Sequence, residues 1–333
     1  MSTPMYGICP AAGRKERAVM KTRIMVKEGE YRLTKAGVMD ARIDAEELYC
    51  FMNKCDKVIL FLKKEEEVDK ETEERYFELI ERRASRIPLQ HITGVQEFMG
   101  FQFKVGPDVL IPRQDTETLV EEAASTVREM GKDVEKKPLL SRLRKSENIK
   151  VLDLCCGSGA IGISLSKICS DISVTAADIS LPALQLAAEN AAALRTDVEF
   201  LQGDLFEAVA QGKRILPGGR TGRGRGTKTR DFDMIVSNPP YIRTNSIAML
   251  QEEVKAHEPL TALDGGRDGL DFYRRIVDRA WHWLKKDGWL LMEIGHDQGE
   301  DLRKIIKENG NYTPAQVIKD LPGKDRVVKC RKK

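Results

Sequence analysis

The sequence predicts an α/β protein with an open, doubly wound sheet of seven mostly parallel strands, preceded by a small helical domain and a β-hairpin connector. Three observations predict this fold: strand and helix patterns alternate from Lys150 onward, a glycine-rich turn follows the first strand, and helical patterns dominate residues 40–85. A chain of 333 residues with 41% hydrophobic content is long enough for one large and one small domain.

Changes in composition and period divide the chain into four segments. Residues 1–30 have no reliable period and are predicted to be a disordered extension. Residues 31–90 are predicted to form the helical domain, 91–130 the hairpin and helix connector, and 131–333 the large domain. A polar loop is expected at its start, over residues 131–148.

Individual elements follow from local patterns. One helix is predicted from Asp40 to Lys54 with Asp44 as its cap, and a second from Thr72 to Ser85. EFMGFQFKV alternates apolar and polar residues around Gly100, which predicts a hairpin, and a helix follows from about Thr116 to Met130. The seven strands of the large domain are VLDL, SVTAAD, VEFLQ, DFDMIVS, WLLMEI, AQVIKD and RVVKC.

One segment interrupts this alternation. Residues 212–230, GKRILPGGRTGRGRGTKTR, are rich in Gly, Arg and Lys and are predicted to be a flexible surface insertion that contributes nothing to a core. The alternative is a basic contact to RNA.

Composition narrows the class of protein. The net charge of +3 does not by itself predict a nucleic-acid partner, and seven cysteines without a C-x-x-C pair predict a reduced, metal-free protein. The sequence shows neither a signal peptide nor a stretch of the roughly 20 apolar residues that span a membrane. We therefore expect a cytoplasmic protein.

The sequence CCGSGAIG after the first strand contains a complete G-x-G-x-x-G, formed by Gly157, Gly159 and Gly162. Such a turn lets an adenosine-bearing ligand approach the backbone, and Asp178 at the end of the second strand can bind ribose hydroxyls. Asp153 would repel a pyrophosphate but suits an ammonium and a sulfonium, so it favours S-adenosylmethionine over a nicotinamide cofactor. The alternative is that Asp153 only binds backbone donors of the turn.

SNPPYI, residues 237–242, lies at the carboxyl end of a strand, where ligands of open sheets bind. Consecutive prolines extend the backbone and offer no N–H, so the Asn238 side-chain oxygen and the carbonyls of Asn238 and Pro239 are acceptors held around one point. Such acceptors can bind a planar NH2 group and orient its nitrogen for attack, with the Tyr241 ring beside it.

Several motifs together resemble the peptide chain release factor glutamine-N5 methyltransferases, a family of class I S-adenosylmethionine-dependent methyltransferases with a Rossmann-like sheet. They are RIPLQHITGVQEFMGFQFKVGPDVLIPRQDTETLVE, VLDLCCGSGAIGISL, NPPYI, HEPLTALDGGRDGLDFYRRI and EIGHDQG. The resemblance runs from about Asp40 to the end of the chain, apart from residues 131–148 and 212–230. Two positions depart from the family pattern: Cys155 replaces the usual first glycine of the turn, and Arg113-Gln114-Asp115-Thr116-Glu117 replaces Arg-Pro-Glu-Thr-Glu.

This resemblance implies methyl transfer to the side-chain amide of the glutamine in the Gly-Gly-Gln motif of class 1 release factors, with the helical domain docking the release factor. It implies that the glutamine is clamped by the loop Asn238, Pro239, Pro240 and Tyr241. It implies that the turn formed by Cys155, Cys156, Gly157, Ser158 and Gly159 holds the methionine part of S-adenosylmethionine, Asp178 the ribose and Leu205 the adenine. Asp153, Asp204 and Asn238 are also expected to contact the cofactor. Arg113 is assigned either to substrate docking or to bridging the two domains.

Other classes of function are less well supported. A nucleic-acid amino methyltransferase acting on adenine N6 or ribosomal RNA guanine N2 would use the same loop, but it also needs a basic groove with stacking aromatic residues. The helical region instead carries the acidic run KKEEEVDKETEE, and aromatic residues make up 6% of the chain. A cofactor-binding protein without catalysis should lack the acceptor loop, and an oxidoreductase would need a hydride or proton partner near it.

Overall fold

The computed structural model describes residues 20–135, 148–211, 213–215, 221–223 and 232–333. The chain divides into two compact units, Met1–Leu89 and Gln90–Lys333. The hairpin and helix predicted as a connector therefore belong to the second unit, together with the large sheet.

The first unit is a small helical bundle. Buried Met25, Leu33, Leu48, Tyr76 and Ile80 form its centre. Its elements are β1 (Met20–Lys21), α1 (Thr22–Lys35), α2 (Ala41–Asn53), α3 (Lys57–Leu62), β2 (Glu67–Val68) and α4 (Lys70–Ala84), with β1 antiparallel to β2.

Two predictions for this unit are wrong in part. Residues 1–19 lie outside the described residues, but α1 begins at Thr22, inside the stretch predicted to be disordered. It is held by burial of its apolar residues and by Gly29, where an added Cβ would lie 2.3 Å from the Tyr76 hydroxyl. Asp44 does not cap α2: it lies within the helix, buried, and its carboxylate pairs with Arg83 at 2.7 Å.

The second unit opens with the predicted hairpin and a long helix. Phe98 and Phe103 on the hairpin are fully buried and pack edge to face with ring centroids 6.0 Å apart. The elements are α5 (Leu89–Thr93), β3 (Val95–Phe98), β4 (Phe101–Lys104), a 3-10 turn (Gln114–Thr116) and α6 (Glu117–Glu135). Residues 131–135 thus continue the helix rather than starting the predicted loop, of which 136–147 lie outside the described residues.

The remaining elements alternate as predicted. The strands are β5 (Ile149–Leu154), β6 (Ile172–Asp178), β7 (Val198–Gln202), β8 (Lys213–Ile215), β9 (Thr221–Arg223), β10 (Phe232–Ser237), β11 (Leu284–Glu293), β12 (Gln316–Lys319) and β13 (Asp325–Arg331). The helices are α7 (Ala160–Ile168), α8 (Leu181–Ala193), α9 (Phe206–Gln211), α10 (Glu252–His257), α11 (Asp271–Trp283) and α12 (Gly299–Asn309). Two 3-10 helices span Thr244–Met249 and Leu260–Ala262.

The strands form one sheet in the order β12-β13-β11-β10-β5-β6-β7-β8-β9. All seven predicted strands are present; β5, β6, β7, β10 and β11 pair parallel with one another, whereas β13 pairs antiparallel with both β11 and β12. In the described part of the chain the sheet has nine strands rather than seven, because two short antiparallel strands from the insertion extend its edge. Ile215 on β8 is buried in the core, so this part of the insertion does contribute to packing. Residues 212, 216–220 and 224–230 lie outside the described residues.

Apolar side chains cover both faces of the sheet. One core packs α6, α7 and α8 against it, and the other packs α9, α11 and α12 against it. This arrangement buries the strands and leaves their carboxyl ends as the edge where a ligand can bind. In the described ranges, no helix combines the length and the apolar character needed to cross a membrane.

Candidate active site

A cavity of about 440 Å³ lies in the second unit, at the carboxyl ends of β5, β6 and β10. This volume falls within the usual range of ligand pockets, about 300–1,000 Å³. The predicted site residues that line it are Cys155, Cys156, Gly157, Ser158, Asp178, Asp204, Leu205, Asn238 and Pro240. Asp153, Gly159, Pro239 and Tyr241 are predicted site residues that do not line it.

The glycine turn has the backbone conformation that its sequence predicts. Gly157 and Gly159 have φ of +52° and +80°, and Gly159 precedes the first residue of α7. An added Cβ on Gly159 would lie 2.8 Å from Ile163, whereas one on Gly157 would meet no neighbour within 4 Å. Gly159 is therefore needed for packing, and Gly157 leaves open space beside the cavity.

Cys155, the departure from the family pattern, also has a positive φ, of +59°. This is the left-handed region, which favours glycine because a Cβ crowds the backbone there. The structure thus gives a physical reason for the usual glycine. Burial raises the pKa of the Cys155 thiol, and the nearby Asp178 charge raises it further, so this thiol is a poor nucleophile.

Asp178 connects the turn to the end of β6. Its carboxylate accepts hydrogen bonds from the backbone N–H groups of Gly157, at 2.8 Å, and Ser180, at 2.9 Å. Burial raises the pKa of Asp178, and these backbone hydrogen bonds oppose the shift. The carboxylate lines the cavity at the position where open sheets bind ribose hydroxyls.

Asp153 occupies a different position from the one its predicted role requires. It is fully buried, and its Oδ2 accepts a hydrogen bond from the Gly162 N–H at 2.9 Å. An added Cβ on Gly162 would lie 3.0 Å from the same oxygen, so this glycine permits close approach of α7 to β5. Burial raises the pKa of Asp153 to about 8. The structure places Asp153 beneath the turn, where it binds a backbone donor.

Asp204 and Leu205 lie on the far side of the cavity, after β7. Leu205 is buried with φ of +48°, and the Asp204 carboxylate pairs with Arg275 at 2.5 Å. Arg275 and its neighbour Phe272 also line the cavity. Their position in the DGLDFYRRI motif is the only sequence signal that points to them.

The loop after β10 brings Asn238 to the cavity. Its Nδ2 donates a hydrogen bond to Thr116 Oγ1 at 3.2 Å, and both residues line the cavity. Among the described residues, no group donates to Asn238 Oδ1. Pro240 lines the cavity, whereas Pro239 is buried behind it.

Tyr241 points away from the cavity. Its hydroxyl donates to Glu293 Oε1 at 3.2 Å, and its ring packs against the core. Glu293 is 1% exposed. Thr116 and Glu293 lie within motifs of the family resemblance, but their roles were not predicted, because spacing alone does not show that they meet at this loop.

Arg113 forms an ion pair with the buried Glu258, whose segment leads into Leu260–Ala262. Burial raises the pKa of Glu258, and the Arg113 charge opposes this shift. Arg113 lines the cavity together with Pro259 and the 3-10 helix. The ion pair ties two segments of the second unit together beside the cavity.

The site combines the backbone turn after β5, a carboxylate at the end of β6 and an amide oxygen after β10, and β6 and β10 flank β5 on opposite sides. The first two suit the methionine and ribose parts of S-adenosylmethionine, and the third suits an NH2 group. The residues lining the cavity therefore fit this cofactor beside an amide substrate.

Two segments of the chain match known domain families. Residues 25–94 match the PrmC N-terminal domain, and residues 126–215 match the methyltransferase small domain. The release factor glutamine methyltransferase of Koribacter versatilis (strain Ellin345) is 38% identical over 300 residues, covering 90% of this chain and 94% of that protein. That of Clostridium acetobutylicum is 37% identical over 287 residues, covering 86% and 89%.

The protein of the same name from Geobacter sulfurreducens is 37% identical over 297 residues, covering 89% of this chain and 91% of that protein. Identity of this degree over nearly the whole length of each relative includes both the helical unit and the site. The chain belongs to the release factor glutamine methyltransferase family.

Proposed function

We propose that this protein transfers a methyl group from S-adenosylmethionine to the side-chain amide nitrogen of the glutamine in the Gly-Gly-Gln motif of class 1 release factors. The observation that carries the proposal is that one cavity is lined by the glycine turn, Asp178 and Asn238. A nucleophilic amide bound at Asn238 would therefore lie next to a methyl donor bound at the turn.

The turn and the strand ends would bind the cofactor. Gly157 lets the ligand approach the backbone, Asp178 accepts hydrogen bonds from ribose hydroxyls, and Leu205 packs against the adenine ring. Bound S-adenosylmethionine supplies a methyl group made electrophilic by the positive charge on its sulfur.

The NPPY loop would bind the substrate. Asn238 Oδ1 and the loop carbonyls accept the two hydrogens of the glutamine NH2, which directs the nitrogen lone pair at the methyl group. The nitrogen held in this way would accept the methyl group as the bond between that carbon and sulfur breaks, and it would give one proton to water. The same acceptors stabilise the positive charge that develops on nitrogen, so no side chain has to act as a strong base.

The experiment combines purified protein, S-adenosylmethionine labelled in its methyl group, and a purified class 1 release factor. We expect label on the release factor, mapped to the Gly-Gly-Gln glutamine by peptide mass spectrometry. A release factor carrying glutamate at that position has no NH2 group and should stay unlabelled. Efficient labelling of DNA or RNA with no labelling of release factor would overturn the proposal.

We assign docking of the release factor to the helical unit. Its short helix α3 exposes Val58, Phe61 and Leu62 to solvent, with Lys57 and Lys63 beside them. Exposed apolar patches bordered by charged residues often mark protein interfaces. Changing Phe61 and Leu62 to serine should raise KM for the whole release factor and leave methylation of a short Gly-Gly-Gln peptide unchanged.

A further inference from the structure

We propose that Glu293 is a positioning residue that fixes which way the Asn238 side-chain amide faces, acting through the Thr116 hydroxyl. This inference rests on the proposed function, because the Asn238 oxygen is the proposed acceptor for the substrate amide. Glu293 does not line the cavity, so it would act on the substrate only through the residues that it holds.

Strand register places Glu293 behind the loop. It is the last residue of β11, and Ser237, which directly precedes Asn238, pairs with Met292. The ends of two neighbouring parallel strands thus bring Glu293 and Asn238 to the same edge of the sheet.

A short chain of polar contacts connects the two residues. Asn238 Nδ2 donates to Thr116 Oγ1 at 3.2 Å, and the Thr116 hydroxyl lies close enough to the Glu293 carboxyl group to oppose the rise in its pKa. Tyr241 donates to Glu293 Oε1. Within the described part of the chain, the buried Oε2 accepts no hydrogen bond, so the carboxylate can accept one from the Thr116 hydroxyl.

The chemistry of these groups determines which of them donates and which accepts each hydrogen bond between Glu293, Thr116 and Asn238. A charged carboxylate can only accept hydrogen bonds, so it attracts the single hydrogen of the Thr116 hydroxyl. The Thr116 oxygen is then left as an acceptor, and the group of Asn238 that faces it has to be the NH2. The reversed amide would bring two oxygen acceptors together without a hydrogen between them. Glu293 thereby keeps Asn238 Oδ1 available for the substrate.

Protonation of Glu293 should weaken this control, because a carboxylic acid is itself a donor and competes for the Thr116 oxygen. Burial raises the pKa of Glu293 to about 7, against the hydrogen bonds and the positive charge that lower it. The titratable or charged groups that face this carboxyl group are Tyr241, Tyr273, Asp115 and Arg326. We expect kcat to fall as the pH decreases through about 7.

The test uses variants that keep the shape of the site. Glu293→Gln can donate to Thr116 and should reduce kcat about 10- to 100-fold, with KM for the release factor and Kd for S-adenosylmethionine nearly unchanged. Thr116→Val, which removes the hydroxyl at similar volume, should do the same, and Thr116→Ser should restore most of the rate. The double variant Thr116→Val with Glu293→Gln should be no slower than the slower single variant, because both substitutions interrupt the same series of hydrogen bonds.

The pH profile separates positioning from simple support of the fold. The fall in kcat near pH 7 should be present in the wild type and in Thr116→Ser and absent from Glu293→Gln. Full kcat in both Glu293→Gln and Thr116→Val, or fully additive losses, would overturn the inference while leaving the proposed function intact. If Glu293→Gln does not fold, the Thr116→Val and Thr116→Ser variants test the inference: full kcat in Thr116→Val would overturn it, and a loss that Thr116→Ser restores would support it. A wild-type protein that leaves release factor unmethylated would instead refute the proposed function.

Discussion

The glycine turn after β5 and the NPPY loop after β10 line the same cavity from neighbouring strands, but different interactions shape them. The turn is shaped locally. Cys155, Gly157 and Gly159 have positive φ, and the hydrogen bond from Gly157 to Asp178 crosses only to the adjacent strand. Its form therefore depends mainly on which residues tolerate a left-handed backbone.

The loop is held by side chains that are distant in sequence. Asn238 contacts Thr116, which is 122 positions away, and Tyr241 contacts Glu293, which is 52 positions away. Two prolines extend the loop backbone, but the direction of its polar atoms depends on these partners. The cofactor end of the cavity should therefore tolerate substitutions that preserve the backbone, whereas the substrate end should respond to the loss of single polar atoms.

The largest effect is expected from Asn238→Ala. This change removes the acceptor that orients the substrate nitrogen, so methylation of release factor should fall about 100-fold or more. Cofactor affinity, measured by calorimetry, should stay within about a few-fold of the wild type, because the turn and Asp178 are unchanged. A variant that methylates at close to the wild-type rate would show that Asn238 does not orient the substrate.

Features shaped by neighbouring residues could be predicted from the sequence. The glycine turn, the seven main strands and the acceptor loop are visible because each depends on neighbouring residues: glycines after a strand, alternating apolar runs, and two prolines in series. The start of α1 at Thr22 was missed because its buried residues become a core only against α2 and α4.

Other features required the three-dimensional structure for a related reason. Asp153 looks like a cofactor ligand in sequence, but strand β5 buries it beneath the turn. Thr116 and Glu293 come from segments far apart in the chain, and only the order of β10 and β11 in the sheet brings them to one loop. The insertion was predicted from composition alone, which cannot show that Ile215 joins the core.

At the cofactor end, Asp178→Ala should weaken S-adenosylmethionine binding by about 1.5 to 3 kcal/mol, the usual contribution of hydrogen bonds to a charged group. Asp178→Asn is the matched control. It keeps one oxygen that can accept from the Gly157 N–H, so it separates support of the turn from recognition of ribose. Unchanged affinity of the alanine variant by calorimetry would remove Asp178 from the site.

Asp153→Asn tests whether this carboxyl group serves the cofactor or the fold. Because the pKa of Asp153 is raised from 3.8 to about 8, the folded state binds its proton more tightly than the unfolded state. The stability that it contributes is therefore present at low pH and lost as the pH rises from about 4 to about 8. Asparagine does not titrate, so the variant should gain stability relative to the wild type across this range, measured by urea unfolding at pH 5, 6.5 and 8.

The variant should also bind the cofactor with an affinity within about threefold of the wild type, since Asp153 does not line the cavity. A much larger loss of affinity, with an unchanged pH dependence of stability, would restore the direct electrostatic role that the sequence predicted for this residue.

The smallest effect is expected at Cys155, a residue with a side chain whose backbone lies in the left-handed region. Cys155→Gly should be more stable than Cys155→Ala by about 1 kcal/mol, because alanine retains the crowded Cβ and glycine does not. Cys156 is the internal control, since it is buried and has no positive φ. There glycine should be less stable than alanine, owing to its greater freedom in the unfolded chain. Thermal unfolding of the four variants measures both differences, and the same order at both positions would show that local backbone strain does not distinguish Cys155.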